Sequence, residues 1–219
     1  MDTPFFLSVA QDQLYSMNTL IEKALASSIT ALLTQNAIAA RHVIENDKTI
    51  NSYEIEIDNA TYNTLTLQQL PPEIIRMVLS LQKINSILER IGDHAVNIAE
   101  SAITISTTEA GDNFLSIPAM AEASTSIFID AIHSFFKSDV ETAQTILSRD
   151  SAIDSLNNSI CNEIKLGFKT GTMPFETGME LYRVCKNLER IGDLSTNIAE
   201  ETLFMLTGKN IKHHYQPIV

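Results

Sequence analysis

The side chains of this sequence best suited to chemistry lie in a motif that occurs twice, 100 residues apart. Residues 88–93 read LERIGD and residues 188–193 read the same; each copy is followed by NIAE, at 97–100 and at 197–200. Carboxylate and amide oxygens are ligands for hard cations. The repeat therefore indicates two candidate metal-binding stripes, formed by Glu89, Asp93, Asn97 and Glu100 and by Glu189, Asp193, Asn197 and Glu200.

Both stripes are predicted to lie on amphipathic helices. At about 100° per residue, the four oxygen-bearing residues of each copy fall within about 80° of one another. In the first copy the opposite side is apolar, with Ile84, Ile87, Leu88, Ile91, Ala95, Ile98 and Ala102. A glycine inside a helix costs about 1 kcal/mol relative to alanine. We therefore expect either a second helix or a ligand to approach closely at Gly92 and Gly192.

Two further segments extend these stripes. The helix before the first motif carries oxygen ligands within about 60° of one another, namely Asp47, Asn51, Glu54 and Asp58. In the second half, Asp150 and Asp154 align with Asp47 and Asn51. Because only the second half has a carboxylate at both places, the sequence predicts that it is the stronger cation site.

An alternative is that each polar stripe is simply the solvated face of an amphipathic helix. Solvated faces usually carry charges of both signs, whereas these stripes contain no lysine, which favours cation binding. Arg90 and Arg190 lie about 100° from the preceding Glu. We expect them to make interhelical or surface ion pairs outside the stripes.

Composition favours an all-α protein and limits its partners. The 219 residues are 44% hydrophobic and include only 7 glycines and 6 prolines. The net charge of −12 argues against nucleic acid as a partner. No apolar run reaches the roughly 18 residues of a membrane span, so we expect a cytoplasmic chain without membrane insertion. Cys161 and Cys185 are predicted to be reduced packing residues.

The periodicity predicts two three-helix bundles in tandem, residues 1–110 and 113–219, divided near Gly111 in the polar segment 106–113. The six predicted helices run from Phe5 to about Leu33, from an N-cap at Asn36 to about Leu67, from Pro72 to about Ser106, from Pro118 onwards, from a capping box at 138–141 to about Gly167, and from the loop at 170–174 to Gly208.

The sequence offers no set of catalytic residues. Di-iron carboxylate enzymes of helical bundles use a Glu-x-x-His motif, and no Glu in this chain is followed by His three residues later. Neither a glycine-rich phosphate loop nor a recognisable nucleophile motif is present. We therefore predict that the protein is not an enzyme. A metal-dependent hydrolase or oxidase and a structural helical adaptor without metal remain the alternatives.

The repeated motif, with LERIGDHAVNIAE at 88–100 and its altered copy at 188–200, resembles the PhoU family of phosphate-signalling proteins. The resemblance extends over nearly the whole chain. It implies tandem three-helix bundles and a homodimeric, non-enzymatic regulator of phosphate uptake. The implied partners are a phosphate ABC transporter and a membrane sensor histidine kinase, through which the phosphate-starvation response is repressed.

The resemblance also implies metal ions as cofactors, iron first, with zinc, manganese, nickel, calcium or magnesium as alternatives. Some members of the family bind iron or another metal at paired Glu/Asp-x-x-x-Asp motifs on the bundle surface. The matching pairs here are Glu89 with Asp93, Glu189 with Asp193, and Asp150 with Asp154; Asn51, four residues after Asp47, departs from the pattern.

Overall fold

The computed structural model describes residues 4–66, 69–108, 114 and 116–209, and the described chain is α-helical without strands. Its helices are α1 (Phe5–Leu33), α2 (Ala37–Leu65), α3 (Pro72–Ile105), α4 (Ile117–Lys137), α5 (Val140–Ile146), α6 (Asp150–Thr170) and α7 (Phe175–Thr207). The predicted fold class is confirmed. The predicted boundary at Gly111 lies outside the described residues.

Several helix ends follow from local sequence as predicted. The side-chain oxygen of Asn36 accepts hydrogen bonds from the backbone N–H groups of Ile38 and Ala39, at 3.1 and 3.0 Å, and so caps α2. Pro72 is the first residue of α3, where its missing N–H costs nothing. Gly208 ends α7 in the left-handed conformation, with φ of 70°.

The prediction of the fifth helix is wrong in two respects, namely the residue at which it begins and its being one continuous helix. Ser138 does not cap it; this residue ends α4 in the left-handed conformation, with φ of 55°. Asp139 is the N-cap instead, and its carboxylate accepts from the Thr142 N–H at 3.0 Å. A turn at 147–149 then divides the predicted helix into α5 and α6.

The helices form two bundles that meet along α3 and α7. Helices α1, α2 and α3 pack together, as do α4, α5, α6 and α7, and α3 lies against α7. The motif helices supply fully or almost fully buried side chains at matching positions: Ile84, Leu88, Ile91 and Ile98 on α3, and Val184, Leu188, Ile191 and Ile198 on α7. Each such side chain contributes about 1.5–3 kcal/mol by leaving water. This burial fixes which face of each motif helix points outward.

None of the described helices combines the length and apolar character that crossing a bilayer requires.

Candidate metal centre

Each repeated glycine lies where a neighbouring acidic helix crosses the motif helix. A Cβ atom built on Gly92 would lie 3.4 Å from Ile50 Cγ2 on α2, with Asp47 also in contact. One built on Gly192 would lie 2.8 Å from Ile153 Cδ1 on α6 and 3.0 Å from Asp150 Oδ1. Gly192 thus permits a close helix crossing, whereas the crossing at Gly92 is at ordinary contact distance. The crossings also place Asp47 and Asp150 at equivalent positions, as the alignment of the two halves predicted.

The first crossing gathers carboxylates from two helices. We call Asp47, Asn51 and Glu54 of α2 with Glu89 and Asp93 of α3 the first cluster. Burial, followed by the nearby charges of Asp93, Glu54 and Asp47, raises the pKa of Glu89 to about 7. Burial also raises the pKa of Asp47, against the opposing effect of a hydrogen bond from Asn51. The four acids therefore repel one another across the crossing.

The first cluster has too few hydrogen-bond donors for its oxygens. Asn51 Nδ2 donates to Asp47 Oδ2 at 2.9 Å. Asp47 Oδ1 and Asn51 Oδ1 are both buried without a partner. Within the described part of the chain, no ion pair reaches Glu89 or Asp93. Buried acceptors without donors are costly, and a cation would satisfy them.

The second crossing repeats the carboxylate arrangement. We call Asp150 and Asp154 of α6 with Glu189 and Asp193 of α7 the second cluster. Burial, followed by the charges of Asp193, Asp154 and Glu189, raises the pKa of Asp150 to about 6. Glu54 has no acidic counterpart here because Asn157 takes its place. Each cluster therefore holds four acids, which removes the difference in carboxylate count on which the predicted ranking of the two halves depended.

In the second cluster, unlike the first, neighbouring cationic side chains pair with the carboxylates. Asn157 Nδ2 donates to Glu189 Oε1 at 3.0 Å, and Lys186 Nζ donates to Glu189 Oε2. This hydrogen bond raises the pKa of Lys186. Arg190 Nη1 donates to Asp193 Oδ2 at 3.0 Å. The ion pair of Arg190 is one of the surface pairs that were expected, but Lys186 lies beside a stripe that was interpreted as lacking lysine.

Asn97 and Glu100 have a partner outside the first cluster. Arg183 of α7 reaches across to α3, and its Nη2 donates to Asn97 Oδ1 at 2.9 Å and to Glu100 Oε2. These two predicted ligands instead join the bundles to each other. Asn197 and Glu200, at the matching positions of α7, are half-buried.

Other polar contacts between α3 and α7 escaped the sequence reasoning. Lys83 Nζ lies 3.1 Å from the carboxylate of Glu201, which is 1% exposed. His94 Nδ1–H donates to Asn187 Oδ1 at 2.8 Å, and burial lowers the pKa of His94. Positions 83 and 183 are one repeat apart and both carry a cation. This match between the two motif helices could have indicated from the sequence that Lys83 and Arg183 make equivalent contacts.

Both cysteines are free thiols. Cys185 is fully buried, and burial raises its pKa to about 12. A thiol that stays protonated at neutral pH is a poor nucleophile. This agrees with the packing role predicted for it.

A model of the PhoU domain matches the chain twice, at residues 14–102 and 117–202. This chain belongs to the PhoU family. One relative is the phosphate-specific transport system accessory protein PhoU homolog of Clostridium acetobutylicum, with 30% identity over 94% of each chain. The PhoU accessory protein of Escherichia coli K12 is 25% identical, over 94% of this chain and 86% of its own.

Solved PhoU structures have the same fold. The crystal structure of PhoU from Pseudomonas aeruginosa matches with a TM-score of 0.88 at 25% identity, covering 93% of this chain and 98% of the other. The phosphate transport system regulatory protein PhoU from Streptococcus pneumoniae matches with a TM-score of 0.85 at 23% identity, covering 94% and 97%. The long bundle helices and their pairing are therefore shared.

The metal implied by the resemblance to PhoU proteins can be tested against each cluster. Among the described residues, no three His, Cys, Asp or Glu side chains converge closely enough to hold a metal ion as they stand. The first cluster nevertheless has the oxygen donor set and the unpartnered buried atoms of Asp47 and Asn51 that a hard cation requires. In the second cluster the oxygens of Glu189 already have partners. The first cluster fits a cation better.

Proposed function

We propose that this chain is a regulator of phosphate uptake and signalling that acts by contact with other proteins. Its partners are a phosphate ABC transporter and a membrane sensor histidine kinase, and its output is repression of the phosphate-starvation response when phosphate is plentiful. A homodimer in the cytoplasm and metal binding at surface carboxylates are parts of the same proposal. Family membership is the observation that carries it.

The named relatives support the regulatory part of this proposal. The Clostridium acetobutylicum and Escherichia coli proteins are both named accessory proteins of a phosphate-specific transport system, and both match over nearly the whole chain. An accessory protein must recognise other proteins. A chain with net charge −12 is suited to basic protein surfaces, because opposite charges accelerate and orient encounter.

The first cluster supports the metal-binding part. Glu54 and Glu89 are half-buried and Asp93 is exposed, so these side chains can reorient about their torsions on binding. Asp47, held by Asn51, supplies the fixed oxygen. A hard cation such as Fe³⁺, Mn²⁺ or Mg²⁺ accepts several carboxylate oxygens. Bound there, it would supply the positive charge that the cluster lacks and would join α2 to α3.

The same geometry offers little for catalysis. Neither carboxylate cluster contains a histidine or a nucleophilic serine or cysteine, which acyl or phosphoryl transfer by a protein side chain would use. The relatives carry names of accessory and regulatory proteins rather than of enzymes. A phosphatase and oxidase screen with added iron, manganese or magnesium discriminates the alternatives. Turnover lost in Asp93→Asn would favour a metal-dependent enzyme.

The regulatory proposal is tested with a phosphate-starvation reporter in a host that lacks its own PhoU-family gene. The test variant combines Glu89→Gln with Asp93→Asn. The control combines Asp12→Asn with Glu122→Gln, which removes the same charge from exposed positions on α1 and α4. We expect repression by the wild type and the control at high phosphate, and derepression in the test variant.

Each failure of this experiment has a distinct meaning. A wild-type chain that is folded but leaves the reporter derepressed contradicts the regulatory function. Repression that survives in the Glu89→Gln, Asp93→Asn variant contradicts a role for the first cluster and favours the structural adaptor without metal. Circular dichroism and thermal unfolding of each purified variant establish that the fold is retained.

A further inference from the structure

Position 186 breaks the equivalence of the two carboxylate clusters. Counting by the repeat of 100 residues, Ser86 of α3 matches Lys186 of α7. Ser86 is exposed and carries no charge. Lys186 extends over one turn of its helix and donates to Glu189 Oε2. The second half thus has a covalently attached cation where the first half has none.

We infer that Lys186 takes the place of a metal ion in the second cluster, so that this chain binds metal at the first cluster only. This inference rests on the proposed metal-binding function. According to this inference, one lysine accounts for the difference in metal binding between two clusters that have equal numbers of acidic residues. It also reverses the ranking predicted from the sequence, in which the second half was the stronger cation site.

Both oxygens of Glu189 are already engaged in the second cluster. Asn157 is 4% exposed and donates to Oε1 from inside the bundle, while Lys186 donates to Oε2 from outside. Arg190 engages Asp193 Oδ2. A metal ion entering this cluster would have to displace the ammonium group of Lys186, whose attachment to the same helix keeps its local concentration high.

The first cluster has the opposite chemistry at the same places. Glu54, an acceptor, stands where Asn157 donates, and Ser86 stands where Lys186 places its charge. The only donor within the cluster, Asn51 Nδ2, is directed at Asp47. The unpartnered buried atoms Asp47 Oδ1 and Asn51 Oδ1 mark the position where positive charge is missing.

The test exchanges the residues at the matching positions 86 and 186, through the variants Ser86→Lys and Lys186→Ser. Mn²⁺ is the probe, and equilibrium dialysis of the full chain with metal analysis gives the stoichiometry. We expect the wild type to bind at the first cluster only: Glu89→Gln with Asp93→Asn removes the bound Mn²⁺, and Glu189→Gln with Asp193→Asn does not. Lys186→Ser should add a second binding event that the latter pair abolishes. Ser86→Lys should weaken binding at the first cluster about five- to tenfold.

Lys186→Gln serves as a second variant because it keeps most of the side-chain stem while removing the charge, and it should also gain the second event. Equal Mn²⁺ binding at both clusters of the wild type, or no added binding in either Lys186 variant, overturns the inference and leaves the proposed function standing. If the wild type binds no Mn²⁺ at all, the proposed metal function fails. If the Lys186→Ser variant nevertheless bound Mn²⁺ when the wild type did not, this result would still support the role of Lys186.

Discussion

Asp150 Oδ1 lies only 3.0 Å from the position that a Cβ atom at Gly192 would take. The matching distance in the first half, from Asp47 Oδ1 to a Cβ atom at Gly92, is 3.8 Å. The two crossings therefore differ in tightness although their sequences repeat. The second has no room for a methyl group unless the side chains of Ile153 and Asp150 move, whereas the first accommodates one at ordinary contact distance.

This difference predicts opposite effects for one substitution. Gly92→Ala should raise the free energy of unfolding by up to about 1 kcal/mol, because alanine favours a helix and the new methyl group meets only ordinary contacts. Gly192→Ala should lower it by about 1–2 kcal/mol, because overpacking against Ile153 and Asp150 outweighs the helix preference. Urea unfolding measures the free energy of unfolding of both variants relative to the wild type. Equal stability of the two variants would contradict the difference in tightness between the crossings.

The raised pKa of Glu89 predicts how stability varies with pH in metal-free buffer. Its folded-state pKa of about 7 exceeds the ordinary value of 4.5, so the folded state holds more protons between these values. The stabilisation is fully present below pH 4.5 and is lost as the pH rises to about 7. Glu89→Gln cannot ionise. We expect it to match the wild type at about pH 4 and to exceed it by about 1 kcal/mol at about pH 8, after allowance for solvent screening.

Urea unfolding in the presence of EDTA checks this expectation, with Glu122→Gln on the exposed face of α4 as the control for loss of one charge. Added Mn²⁺ should reverse the order at the higher pH, since only the wild type retains the full first cluster. A Glu89→Gln variant that is less stable than the wild type in EDTA would show that the carboxylates do not repel one another there.

The contacts between α3 and α7 predict that Lys83 and Arg183 contribute unequally to the free energy of unfolding. Lys83→Met should lower the free energy of unfolding by about 1–3 kcal/mol, because the Glu201 side chain beside it is 2% exposed. Arg183→Met should cost at most about 1 kcal/mol, because its partner Glu100 has a side chain that is 46% exposed. Thermal unfolding of the two variants compares them directly. A larger loss in Arg183→Met would contradict this ranking of the two ion pairs.

The sequence predicted those features that depend on one helix at a time. The apolar face that buries Leu88 and Leu188, the cap at Asn36 and the stop at Gly208 follow from periodicity and local chemistry. The repeat also aligned Asp47 correctly with Asp150, because a duplicated fold brings equivalent residues to equivalent crossings.

Features that depend on which helix faces meet were not predictable in the same way. Asn97 and Glu100 lie in phase with Glu89, yet the packing of α3 on α7 directs them to Arg183. The α5–α6 turn interrupts a segment whose apolar spacing reads as continuous. Lys186 lies three residues before Glu189, a spacing at which helical side chains meet, so this contact was open to sequence reasoning and was missed.

The most direct test of the first cluster as the metal centre is the position of Mn²⁺ in crystals of the wild-type chain grown with that ion. Anomalous scattering should give a peak between α2 and α3, bounded by the oxygens of Asp47, Glu54, Glu89 and Asp93, and none between α6 and α7. A peak confined to Glu189 and Asp193, or no peak at either crossing, would contradict the claim that the first cluster is the metal centre.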